Sequence, residues 1–353
     1  MIQHRWTSDQ EIEESKRQAK QGSVGKRHHH VPQMYLRRWA GADGKVRLTQ
    51  TDTGASYLQP PKEIANRDNF YKIAAADLEA EFPGLWLEKH MARIEGDAAS
   101  WLQALDDLPD GRIYDGDLIA NMAVFVALQD QRTVRARERE LRIEDALNRF
   151  GRAKVASLML PFTCQLYGIP YTPQRHDELL QQMLDKPEAS VERKPRAIES
   201  AIGVWRNQAV PRFTAARTWW LLSSSSPLLT CDEPVVYLGG HRWQTPSWAW
   251  PYLLYPIAPQ RILVLAAPGI RLPPPYQLDD VEAAQVNFEV VAASHEFSYE
   301  LPDTEIAKSI SVPPMVDTDP ATASTFMDAV RLPSRWREGD DQPWALRHWY
   351  SGG

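Results

Sequence analysis

Five side chains in this sequence are of types that do chemistry and sit where apolar or turn-forming neighbours would hold them: His29, Glu95, Gln129, Arg132 and Asp232. The first lies in KRHHHVPQMYLRRWA, residues 26–40, where His28, His29 and His30 precede Val31-Pro32. Proline suits the first position of a helix, and it pushes the residue before it towards extended backbone. In an extended lead-in, neighbouring side chains alternate, so His28 and His30 share one side and His29 takes the other. The positive end of a following helix disfavours a charged imidazole. A neutral imidazole is what a metal ligand or general base needs. The plain alternative is a solvated, mildly basic segment.

Glu88 and Glu95 are seven residues apart and lie on one side of a helical stretch. Their axial separation of roughly 10 Å is too large for one metal ion to take both from that helix alone. In IANMAVFVALQDQR, residues 119–132, Asn121, Phe125, Leu128 and Arg132 fall on one stripe, with Gln129 beside it. A buried guanidinium needs a carboxylate or a bound anion such as phosphate. Its partner is either an internal acid, Glu95 or Asp232, or a ligand. In LLTCDEPVV, Asp232 follows a short apolar strand and stands two residues before Pro234. A carboxylate there either aims at a ligand or bonds its own turn. The aromatic run HRWQTPSWAWPYLLYP fits a cover over the core better than a stacking platform. RTVRARERELR is basic but interleaved with Glu, the pattern of a solvated helix face.

The elements that would position these groups are legible from periodicity. Leu87, Met91, Ile94, Ala98 and Leu105 make the apolar stripe of one helix. A second helix starts at Asp115 or Asp117 and runs through LIANMAVFVALQDQRTVRARERELRIEDALNRF. Its first half is apolar on nearly every side and its second half charged, so it should pass from core into solvent. Further helices are expected at 175–184 and 196–207, with LDKPEASVERKPR as the loop between them. VRLTQ and ASYLQ read as strands around a Thr-Gly turn, and NRDNFYKI as a short strand or turn. TWWLLSSSSPLLTCDEPVVYL reads as strand, turn and strand. PYLLYPIAP and QRILVLAAP are two more β-prone runs, and DDVEAAQVNFEVVAASHEF is a helix capped by Asp279 or Asp280. Helices and strands segregate, which gives an α+β fold with a helical middle region packed against a small, mainly antiparallel sheet. The divisions are a polar arm over 1–25, one α+β domain over 26–312 and an irregular tail over 313–353.

The chain has 353 residues, 43% hydrophobic and 24% charged, and can bury a large core unaided. A net charge of −6 argues against a generally basic nucleic-acid binder but leaves room for a local basic groove. Two cysteines, Cys164 and Cys231, give no disulfide framework and suit a reducing cytoplasm. No secretory leader or membrane-length apolar run is visible. GxxxxGK[ST], HExxH, GxSxG and a strand–helix GxGxxG are all missing, so P-loop, zincin, serine-hydrolase and Rossmann readings have little support.

His29-His30-Val31-Pro32 followed by Tyr35-Leu36 resembles the opening of a bacterial family known as domain of unknown function 4238. The resemblance continues through Asn69-Phe70-Tyr71, Glu88, Glu95, Gln129, Arg132, the Asp232–Pro234 turn, YPIAPQRILVL and Asn287, from about residue 26 to 300. His30 stands where that family usually has an aromatic residue, and Cys231 and Glu233 where it tends to have Ser and Asn. The resemblance implies no activity, but it points to His29, Tyr35, Glu95, Gln129, Arg132 and Asp232. The leading expectation is a hydrolase acting on a phosphate-containing small molecule or a nucleic acid, nuclease-like in a bacterial setting. His29, Glu95, Arg132 and Asp232 would be catalytic, and Tyr35, Gln129 and Asn121 would bind substrate. His29, Glu95 and Asp232 would hold a divalent metal or activate water. The rival is a non-enzymatic sensor or protein-interaction partner, in a defence or toxin context, whose buried polar network is structural. A metal-dependent oxidoreductase would need two or more histidines to converge.

Overall fold

The computed structural model describes residues 27–68, 86–166, 169–184, 203–238, 250–317 and 319–337. The polar arm, Asn69-Phe70-Tyr71, the loop near 184–196, most of the helix expected at 196–207, Trp243 and Trp248 lie outside the described residues, as does the side chain of Glu88. The chain enters through β1 (Arg27–His29) and a single helical turn α1 (Gln33–Leu36). The hairpin β2 (Val46–Gln50) and β3 (Ser56–Gln59) follows, then β4 (Asn66–Asp68). The helical middle comprises α2 (Trp86–Asp106), α3 (Gly116–Gln131), α4 (Val134–Phe150), α5 (Arg152–Leu166) and α6 (His176–Leu184), with the two-residue β5 (Gly111–Arg112) after α2. After the short α7 (Val210–Ala215) come β6 (Thr218–Ser224), β7 (Thr230–Cys231), β8 (Val236–Leu238), β9 (Tyr252–Ala258), β10 (Arg261–Ala266) and β11 (Gln277–Leu278). Helix α8 (Asp280–Ala293) and β12 (Phe297–Glu300) follow. The fold is α+β.

The central sheet has the order β11-β6-β10-β9-β8, with β5 also pairing β6. It is antiparallel except for the β11–β6 pair. Its two faces sort by residue parity, because successive side chains on a strand point to opposite sides. Trp219, Leu221, Leu253, Tyr255, Leu263 and Leu265 join the core formed by α2 and α3. Trp220, Leu222, Leu254, Ile262 and Val264 join the other core, with Val286 and Val290 of α8. The sheet is therefore covered on both faces, which is why TWWLL and RILVL are apolar without alternation. A second sheet, β3-β2-β12-β7, carries the hairpin, and β1 pairs with β4. The strands on either side of SSSSP belong to different sheets, since β6 lies in the first and β7 in the second.

Several elements follow the sequence directly. Met91, Ile94, Ala98, Leu102 and Leu105 of α2 are buried. Asp115 caps α3 by accepting the N–H groups of Asp117 and Leu118, both at 3.0 Å. Asp279 and Glu282 form a reciprocal capping box at α8. The long helix expected from Asp115 is instead two. It breaks at Arg132, and Thr133 caps α4 by accepting Ala136 N–H at 3.1 Å. The charged half emerges into solvent only towards its end, at Asp145, Asn148 and Arg149, while Glu140, Arg142 and Glu144 are buried. Arg135, Arg142 and Arg149, seven residues apart, donate to the carbonyls of Pro333, Arg331, Pro320 and Ala323. The described part of the C-terminal segment is thus strapped along α4 by its backbone. Among the described residues no helix is long and apolar enough to cross a membrane.

Candidate functional site

The segment carrying the histidines is fixed by its neighbours on the chain. Tyr35 donates its hydroxyl to the Pro256 carbonyl at 2.6 Å and lies 2.7 Å from Thr230 Oγ1. Its ring stacks on Tyr255 at 5.2 Å. Trp39 Nε1 donates to the Leu228 carbonyl at 2.9 Å, and Arg38 pairs with Asp106 at 2.5 Å. Upstream, His30 N–H donates to the Ala65 carbonyl at 2.9 Å. Pro32 sits just before α1, as its extended cap. The extended lead-in alternates as expected: His28 and His30 are buried, and His29 alone is half-buried, on the opposite side.

His29 opens on a pocket of about 370 Å³ that it shares with Gln33, Arg37, Met91, Glu95 and Arg132. Arg132 forms its floor. Its Nη1 donates to Glu95 Oε1 and its Nη2 to the His29 carbonyl, both at 2.5 Å. The Arg132 side chain is 3% exposed and that of Glu95 23%. One guanidinium therefore ties β1, α2 and the break between α3 and α4. The bland expectation of an internal Arg–Glu clamp is met, with Glu95 as the acid.

The protonation state of His29 follows from its contacts. Arg37 Nη2 donates to Gln33 Oε1 at 3.5 Å, so the other end of that amide, Nε2, faces His29 Nδ1 at 3.4 Å. A donor facing Nδ1 calls for a lone pair there, the neutral imidazole with its proton on Nε2. Burial lowers the His29 pKa, the carbonyl of Lys62 pulls against it, Arg132 lowers it and Glu95 raises it. Burial and the positive charges of Arg132 and Arg67 push His30 down to about 3.

The remaining expected residues are not brought into this pocket. Asp232 is buried at the start of the turn that follows β7. Its Oδ1 accepts His295 N–H at 2.8 Å, and its Oδ2 accepts the N–H groups of Glu296 at 2.7 Å and Phe297 at 3.0 Å. Burial pushes its carboxyl up, and the three amides pull it back. It braces the start of β12, and both oxygens are occupied. Tyr35 lies wholly in the core, so its hydroxyl reaches Thr230 and Pro256, not a ligand. Gln129 is fully buried, and neither amide atom has a hydrogen-bond partner among the described residues, so it does not orient Arg132. Asn121 is exposed. It shares the azimuth of Arg132, but the first two turns of α3 bury Leu118, Met122 and Ala123 and leave the Asn121 side open. Asn287 holds the segment leading into β7, accepting Leu229 N–H at 2.8 Å and donating to the Pro227 carbonyl at 2.9 Å. Among the described residues no three His, Cys, Asp or Glu side chains come together as a metal centre, so His29, Glu95 and Asp232 do not fit one ion.

Gln33 and Arg37 were missed by sequence reasoning. Part of their signal was available, because Arg37 follows Gln33 by one helical turn just after Pro32. Asp130, Arg139, Glu233 and Tyr237 were missed as well, and they line a second cavity on the far side of the α3–α4 break.

The family model described as "Protein of unknown function (DUF4238)" matches residues 27–304. That span includes every residue of the His29 pocket and stops short of the C-terminal strap. No curated protein and no solved structure matches the chain.

Proposed function

We propose that this chain, which belongs to the DUF4238 family of proteins of unknown function, is a hydrolase acting on a phosphate-containing substrate at the His29 pocket. The observation that supports this reading is an imidazole whose Nδ1 faces Gln33 at 3.4 Å, beside two guanidinium groups in one open cavity. Arg37, exposed at the rim, holds the phosphate oxygens, and Arg132 adds positive charge from the floor. Substrate displaces Gln33 from Nδ1, and His29 takes a proton from the attacking water. The new P–O bond forms as the bond to the leaving oxygen breaks, and that oxygen takes the proton back from His29. Glu95, which favours the charged imidazole, stabilises the intermediate protonation state. The steps named use this chain's own side chains, since among the described residues no three His, Cys, Asp or Glu come together. A nuclease-like effector is the narrower form of the same proposal.

A second reading has its own support. The Arg132 clamp on the His29 carbonyl and the Asp232 brace on three amides are what a purely structural network would contain, in a sensor or interaction protein. Turnover of p-nitrophenyl phosphate, bis(p-nitrophenyl) phosphate and a single-stranded oligonucleotide separates the two. His29→Gln should fold normally and lose about 10²-fold or more of the wild-type rate. A wild-type chain inactive on all three substrates, or an unchanged rate in His29→Gln, would overturn the hydrolase reading.

A further inference from the structure

Residues 130–135 face two ways. Arg132 turns to His29, while Asp130 and Arg135 turn to a second cavity of about 130 Å³, which also takes in Arg139, Glu233, Tyr237 and Trp250. The C-terminal segment from Arg331 to Trp336 closes one wall of it.

The charged groups there are built into the fold and do not merely sit on its surface. Asp130 accepts Gln131 Nε2 at 2.5 Å and the Tyr237 hydroxyl. Arg139 donates to Gln131 Oε1 at 2.7 Å and to Glu140 at 3.5 Å. Glu233 accepts the backbone N–H of Arg135 at 3.0 Å, and Arg135 Nη2 donates to the Pro333 carbonyl at 3.1 Å. All four side chains are half-buried with protein around them. Burial raises the Glu233 carboxyl to about 8, although Arg135 opposes it. Near neutrality it therefore keeps its proton and can donate a hydrogen bond. The bonds named leave Arg135 and Arg139 with N–H groups to spare, since each guanidinium has five. The rest of the lining sets apolar groups, the valines of the turn, alanines of α8 and Trp250, beside the polar side chains of Glu289, Arg331, Ser334 and Arg335.

We propose that this cavity is a binding site for a small organic acid. Its carboxylate faces Arg135, Arg139 and Glu233, and a short apolar body lies against Trp250 and the valines. A cavity of comparable size accommodates benzene, which sets the ligand at about six to nine heavy atoms. The half-apolar lining favours an organic acid over inorganic phosphate. The site is independent of the His29 pocket and of the activity proposed there.

Calorimetric titration of the full chain with monocarboxylates from butyrate to benzoate tests this. Benzamide serves as the neutral analogue of benzoate, and inorganic phosphate as the anion without an apolar body. At pH 8, in two buffers of different ionisation enthalpy, an acid of the series should bind saturably and take up protons, because an anion beside Glu233 favours its protonated form. Benzamide and phosphate should bind about tenfold more weakly or worse. Glu233→Gln, which keeps a donor, should retain binding and lose the proton uptake. Arg139→Gln should weaken binding about tenfold or more, and His29→Gln should leave it unchanged. Saturable binding by none of the acids, equal binding of benzamide, or proton uptake that survives Glu233→Gln would each overturn the proposal. The last readout stands even if Arg139→Gln fails to fold.

Discussion

Replacing Asp232 asks whether a carboxylate at a turn is there for chemistry or for the backbone. It accepts three main-chain N–H groups from residues 295–297, more than sixty residues away in sequence. A hydrogen bond to a charged group contributes about 1.5 kcal/mol at the low end, so Asp232→Ala should cost about 4 kcal/mol and leave three donors unpaired. Asp232→Asn can turn its oxygen to the Glu296 and Phe297 amides and set its NH₂ against His295 N–H, losing about 2 kcal/mol. The order wild type, Asn, Ala should appear in urea unfolding followed by the 13 tryptophans. It should appear again as lost hydrogen-exchange protection in a peptide spanning 295–300. A catalytic Asp232 would behave differently: Asn would abolish turnover while the unfolding midpoint stayed put. Stability within about 1 kcal/mol of wild type for Asp232→Ala, with the amides still protected, would refute the brace.

Acid should destabilise the protein through His30. Its folded pKa of about 3 lies below the unfolded value of 6.5, so its contribution is intact above pH 6.5 and falls away as pH drops towards 3. Arg132, Arg67, His29 and His295 all face it and all disfavour its charge. Between pH 6.5 and 5 the loss is about 2 kcal/mol, and His30→Phe should flatten that slope in denaturant titrations; an unchanged slope would contradict the assignment. Gln129→Met replaces a buried amide that lacks partners among the described residues with an apolar side chain of similar shape and should stabilise by about 1 kcal/mol. A loss of that size would mean the amide is satisfied. Arg142→Ala removes bonds to the Arg331 carbonyl and to Asp317, so the C-terminal strap should be cut first in limited proteolysis. Unaltered cleavage would show that Arg135 and Arg149 hold it without Arg142.

How much was legible depended on how local the cause was. The buried stripe of α2, the Asp115 cap, the Asp279–Glu282 capping box and the alternation of His28, His29 and His30 each arise within one or two helical turns or a few strand residues. Side-chain periodicity and cap chemistry fix such features. The break at Arg132–Thr133 has no Gly or Pro to announce it, only a threonine in a run of helix formers. Arg135, Arg142 and Arg149 read as a solvated face because periodicity gives an azimuth but not what lies against it. What covers them is a backbone segment about 180 residues further on.

By itself the sequence determined that the chain is α+β, that His29 faces away from its two neighbours, and that Arg132 needs a carboxylate or a bound anion. Those follow from backbone geometry and from the cost of burying an unpaired charge. Tertiary structure alone decided which acid it takes, that Asp232 serves backbone amides, that Tyr35 and Gln129 lie inside the core, and that Asn121 lies outside it. It also decided that Asp130, Arg139 and Glu233 meet. Each of those depends on which distant element arrives opposite a given face, and that is settled by how two sheets and a broken helix pack.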